Sequence, residues 1–104
     1  MITTYQRLSP GRKNLVRQMQ EINFGRIERL KIKNGDPVFD PAPKIVREVK
    51  FGGENGPRPE KSDSDFALKA QVQDLFNQMD GISSGQIDLI EIKHGLPFRM
   101  LVER

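Results

Sequence analysis

The chain has 104 residues, 36% apolar and 30% charged, which suits one small soluble domain. It has no Cys and a single His, which excludes disulfides, thiolate catalysis and a cysteine zinc site. Little is left from which to assemble a nucleophile beside a base, so an enzyme is not expected. The net charge of +3 is uneven: residues 1–61 carry 13 Lys/Arg against 7 Asp/Glu, and residues 62–104 carry 4 against 7.

No apolar run approaches the length of a membrane span, and the start MITTYQRLSPGRKN lacks the apolar segment of a signal peptide. A cytoplasmic location without membrane contact is the expectation. The charge asymmetry offers a way to steer an acidic partner to the first half, or to pair one half with the other. An ordinary solvated surface explains it as well.

Ser9-Pro10 opens the first helix, with Ser as cap and Pro in the first turn, where its missing N–H is not needed. Leu15, Val16, Met19 and Ile22 recur at helical spacing, and Arg12, Lys13 and Arg17 lie off that stripe. Gly25 ends the element, with Asn23 as an earlier stop. The period then falls to two. Arg29-Leu30-Lys31-Ile32-Lys33 alternates, so Leu30 and Ile32 face one side and the three cations the other. Ile27 is out of this register. It either belongs to the strand entrance or is brought inward by a bulge near Glu28. Asn34-Gly35 is a strong hairpin signal.

The return is broken by Pro37, Pro41 and Pro43, which lack ladder donors. A short pairing near Val38-Phe39 is expected, then strand character from Lys44 to Phe51, with Ile45, Val49 and Phe51 on one side. Residues 52–63 read as a linker; its Gly52–Pro59 portion is the alternative of an anion-binding nest. Ser62, Asp63 or Ser64 caps a second helix with the stripe Leu68, Val72, Leu75, Phe76 and Met79, ending at Asp80-Gly81. A strand follows from Gln86 to Lys93, His94-Gly95 turns it, and Phe98, Met100 and Val102 alternate afterwards.

This order contains a repeat. Leu15–Pro37 aligns without gaps on Leu75–Pro97 and ten of the 23 positions are identical. Apolar positions, glycines and turns repeat; no reactive constellation does. The expected fold is therefore α+β: repeat one over 8–51, repeat two over 64–104. Their hairpins form a four-stranded antiparallel sheet with both helices on one face. A dimer exchanging repeats across the linker is the other way to bury the stripes.

The run Ile22-Asn23-Phe24-Gly25-Arg26-Ile27, followed by alternating apolar residues, an x-Gly turn and a basic ending, resembles the YezD-like family of small bacterial proteins. Ile22, Phe24, Gly25, Ile27, Ile32 and Gly35 fit in the first copy. Ile82, Gly85, Ile87, Ile92 and Gly95 fit in the second, where Ser84 replaces the aromatic. The resemblance implies a tandem duplication of a one-repeat protein. That family has no assigned activity, so only scaffold residues carry over.

The candidate functional residues are cations: Arg29, Lys31 and Lys33, with Lys44, Arg47 and Lys50 on a neighbouring strand. Such a row can track a phosphate backbone, although exposed aromatics for base stacking are missing between residues 26 and 33, and Phe51 reads as core. Glu28 and Asp88 occupy equivalent positions and form a candidate pair for sharing a proton or a metal. His94 reads as a turn residue, matching Asn34. The leading expectation is a small binding or regulatory module contacting a protein partner or a second copy through a sheet edge. Nucleic-acid binding through the basic face ranks second, and no cofactor is implied.

Overall fold

The computed structural model describes residues 4–52 and 69–103. A short 3-10 turn at Tyr5–Arg7 leads into α1 (Pro10–Ile22), β1 (Gly25–Lys33), β2 (Asp36–Val38), β3 (Lys44–Arg47), α2 (Ala70–Ile82), β4 (Gly85–Lys93) and β5 (Leu96–Leu101). The two helices and two long strands stand sixty residues apart, end for end. Ser9 caps α1, its hydroxyl accepting the Arg12 N–H. Both helices stop at a residue of positive φ, Asn23 and Ser83, whose own N–H returns to the carbonyl of Met19 or Met79.

Five antiparallel strands form the sheet, ordered β2-β1-β4-β5, with β3 also on β1. The sheet has five strands where four were expected, because the short pairing near Val38 and the stretch from Lys44 form two separate strands. β2 covers Lys31–Lys33 and β3 covers Gly25–Glu28, end to end along the same edge of β1. The break falls where Pro41 and Pro43 lack ladder donors.

The central pairing is β1 with β4. Gly25 lies opposite Ile92 and Ile32 opposite Gly85, so the sixty-residue offset converts one pair into the other. Between those ends only Arg29 and Asp88, at the midpoint, drop out of the ladder. Arg29 has φ 59°. This slip resolves the position of Ile27: two successive residues, Glu28 and Arg29, face away from the core, and Ile27, Leu30 and Ile32 all point into it. β4 repeats the pattern with Ile87, Ile90 and Ile92 buried. Because both strands slip at the same point, register is kept on either side.

One apolar cluster joins these strand residues to Leu15, Val16, Met19 and Ile22 of α1 and Val72, Leu75, Phe76 and Met79 of α2, with Tyr5 and Leu8 at its margin. Both helices therefore cover the same sheet face. Full burial of each such side chain stabilises by about 1.5–3 kcal/mol.

Several expectations are corrected. Phe51 is 100% exposed and Val49 also stands in solvent, because β3 ends at Arg47 opposite Gly25, the first residue of β1. Beyond it there is no strand to pair with. α2 begins at Ala70 with Lys69 as its cap residue, and it runs through Gly81 to Ile82. The expected caps Ser62, Asp63 and Ser64, Leu68 of the stripe, and all but the first residue of the 52–63 linker lie outside the described residues. β5 does not alternate cleanly. Glu91 pairs with Arg99 and Ile92 with Pro97, so Phe98 is the extra residue of a bulge. It stands 60% exposed, while Met100 and Val102 pack on the core.

The left-handed backbone at Arg29 costs an L-residue about 1–2 kcal/mol, and more for a branched side chain. Arg29→Val is expected to lower stability by at least about 1 kcal/mol, and Arg29→Gly to leave it unchanged or higher. Urea midpoints of the two variants check this.

Candidate functional site

Two turns and two helix ends hold the halves together. The Gly35 N–H donates to the Ser83 carbonyl at 2.7 Å, and the Gly95 N–H to the Asn23 carbonyl at 2.9 Å. Each acceptor is a helix-end carbonyl with no partner of its own along the helix, so each hairpin turn completes the other half's helix. The turn residues Asn34 and His94 both adopt positive φ, as an x-Gly turn requires. His94 also places its ring edge-on to Phe24, with centroids 4.8 Å apart. At the offset position, the Asn34 N–H reaches the Ser84 hydroxyl instead. Both arrangements fit the turn position expected for His94.

Arg12 is the residue that sequence reading undervalued. Its guanidinium donates to the Gly35 carbonyl at 2.8 Å and pairs with Asp80 of α2 and Asp36 of β2, while lying over the Phe76 ring. The signal was present in the offset: Arg12 aligns with Val72, a buried stripe position. Its stem lies along the core and its head bridges the two halves.

The sheet face opposite the helices carries the predicted cations. Arg29, Lys31 and Lys33 project there from β1, and Lys44 stands across from Glu28. Arg47 pairs with Gly25 and shares the side of Ile45, the helix side of the sheet. Lys50 lies past β3, with its ammonium 5.5 Å from the Phe24 ring centroid. The structure thus gathers four of the six predicted residues and separates Arg47 and Lys50.

Acidic residues neutralise much of this face. Glu28 takes Arg26 at 2.7 Å and Arg29 at 4.0 Å. Glu91 takes Arg99 at 3.1 Å and Lys93 at 4.0 Å. Among the described residues, Lys31 and Lys33 have no ion pair. Glu28 and Asp88 are engaged separately, Asp88 accepting from the Gln86 amide at 2.9 Å. Glu28 is held below the usual carboxylate range, first by the hydrogen bond from Arg26, which outweighs the opposing effect of burial, and then by the charges of Lys44, Arg26 and Arg29. A carboxylate sharing a proton with another would be raised instead. Among the described residues no group of three or more His, Asp or Glu is placed to hold a metal.

The two edges of the sheet differ. The outer edge of β1 is covered by β3 at Gly25–Glu28 and by β2 at Lys31–Lys33. On the other side, β5 pairs only with Leu89–Lys93, and among the described residues Gly85–Asp88 have no strand on that side of β4. β5 itself is an outer strand with Phe98 and Leu101 exposed. A groove of about 190 Å³ runs between it and α2, lined by Leu75, Gln78, Phe98 and Met100 among others. No helix among the described residues is long and apolar enough to cross a membrane. No family model, curated protein or solved structure matches the chain.

Since the Glu28 carboxylate is favoured in the folded chain, the stability it contributes is present above its ordinary pKa and is lost as pH falls through the lowered value. A carboxyl-carbon NMR titration is expected to place its midpoint below that of an unperturbed Glu. In Arg26→Gln the midpoint should move upward.

Proposed function

We propose that this chain is a small non-enzymatic binding or regulatory module, built as two copies of one αββ unit, that accepts an extended protein segment on the open edge of its sheet. One observation carries the reading. The β1 edge is covered at Gly25–Glu28 by β3 and at Lys31–Lys33 by β2, whereas on the other side part of β4 and the whole of β5 face no strand among the described residues. Unpaired N–H and C=O groups on such an edge are a ready template for another strand, and neighbouring apolar side chains supply specificity. The exposed Phe98, in the groove beside α2, and the exposed Leu101 are placed for that role. The residue inventory supports a module without catalysis, and a cytoplasmic setting belongs to the same proposal. Kinship with the YezD-like family, as a tandem duplication, would account for the offset and adds nothing about activity.

A second reading, nucleic-acid binding on the open sheet face, is favoured by Lys31 and Lys33, which are exposed and have no ion pair among the described residues. It is weakened by Glu28 and Glu91 on the same face and by the absence of an aromatic beside the lysines.

Selection of extended peptides on the full chain by display, followed by amide hydrogen exchange, separates the two. Strand addition predicts peptides whose binding slows exchange in Gly85–Leu101 and changes little with salt. Absence of any such peptide overturns it. So does anisotropy showing DNA or RNA binding that persists at physiological salt and is abolished in the triple variant R29E/K31E/K33E, which would promote the second reading.

A further inference from the structure

The sixty-residue offset sets two helix–strand contacts side by side. In the first half α1 lies directly on the strand after the turn: a Cβ on Gly11 would stand 2.8 Å from the Pro37 carbonyl oxygen. Pro37 is buried, and Gly11, Asn14 and Gln18 along that flank of α1 are half-buried. The segment leading into α1 lies on another flank of the helix, where Tyr5 sits beside Lys13 and Arg17. It is therefore Pro37 that closes this place, and not the leading segment.

In the second half Gln71 takes the place of Gly11, and its side chain leaves no room for so close a contact. β5 also carries Phe98 as an extra residue. Gln71, Asp74 and Gln78 are exposed, and Pro97 is only half-buried. These changes hold α2 off β5, and the groove of about 190 Å³ lies between them. Its apolar walls are Leu75, Pro97, Phe98 and Met100. Two charged residues line it as well. Arg99 is held by Glu91, which also takes Lys93, whose ammonium lies 4.1 Å from the Phe98 ring centroid. Asp74 has no ion pair or hydrogen bond among the described residues, so it is the lining charge without a protein partner.

We infer that the α2–β5 groove is a binding site for a small organic cation, an ammonium group on an apolar body the size of one aromatic ring. The volume suits a fragment, since drug-sized sites run to about 300–1,000 Å³. Apolar walls with a few placed polar groups are the usual composition of such a site. The ring packs on Phe98 and on the Met100 thioether, and the ammonium pairs with Asp74. An exposed ion pair contributes little, so burial of the ring provides most of the affinity and Asp74 selects the charge. This site is independent of strand addition, which uses the outer backbone of β5 and not the side chains between β5 and α2.

The test titrates phenethylamine into the full chain and follows methyl and amide NMR signals. Phenylpropionate, with the same ring and the opposite charge, is the control. Saturable shifts at Leu75, Gln78 and Met100 are expected, with a dissociation constant on the order of 1 mM. Phenylpropionate should bind at least about threefold more weakly. Phe98→Ala should weaken phenethylamine by at least about fivefold. Asp74→Asn should weaken it by about threefold and leave phenylpropionate unweakened. Both side chains are exposed, so neither variant threatens the fold. No saturable shift at about 20 mM phenethylamine overturns the site. Equal affinity for the two probes overturns the cation as its ligand. Nuclear Overhauser contacts from residues 53–68 to the Met100 methyl in the free chain overturn it too, because the chain then fills its own groove.

Discussion

The β1–β4 pairing is the constraint on which the rest of the structure depends. Two nine-residue strands pair at seven positions on either side of a shared midpoint and bury Ile27, Leu30, Ile32, Ile87, Ile90 and Ile92 on one face. A one-residue slip in a single strand would turn half of that set outward. Both strands slip together at their shared midpoint, so the apolar residues on either side of it remain inward. That requires an unusual backbone at Arg29, which the pairing on both flanks holds in place.

Once the ladder is formed, the hairpin turns at its two ends lie against the opposite helices. The Gly35–Ser83 and Gly95–Asn23 hydrogen bonds then give partners to helix-end carbonyls that have none along their own helix. Neither half supplies its own cap partner. This explains why a chain of this size can hold two short helices: each is finished by the other half. Arg12 adds a second bridge of a different kind, a charged head joining the Asp36–Gly35 turn to Asp80. Asp80 is largely exposed, so this contact contributes mainly orientation.

The differences between the halves matter more for function than their likeness. Where the first half has Phe24 against His94, the second has Ser84 beneath Asn34. Where the first has a strand over Gly25, the second has none over Gly85 among the described residues. The cations of the basic face are interleaved with Glu28 and Glu91.

Much of this was legible in the residues alone. The spacing of Leu15, Met19, Leu75 and Met79 determined the helices, Asn34-Gly35 and His94-Gly95 determined the turns, and the sixty-residue offset determined that the two halves would match. These are local signals, set by backbone preference and by periodic burial. The sequence left open whether a bulge brought Ile27 inward, and it misplaced Phe51 and Phe98. It also gave no account of Arg12 or of the open edge at Gly85. Those features depend on which strand lies beside which and where each runs out. Such pairings arise between residues far apart in the chain, and only the folded sheet decides them.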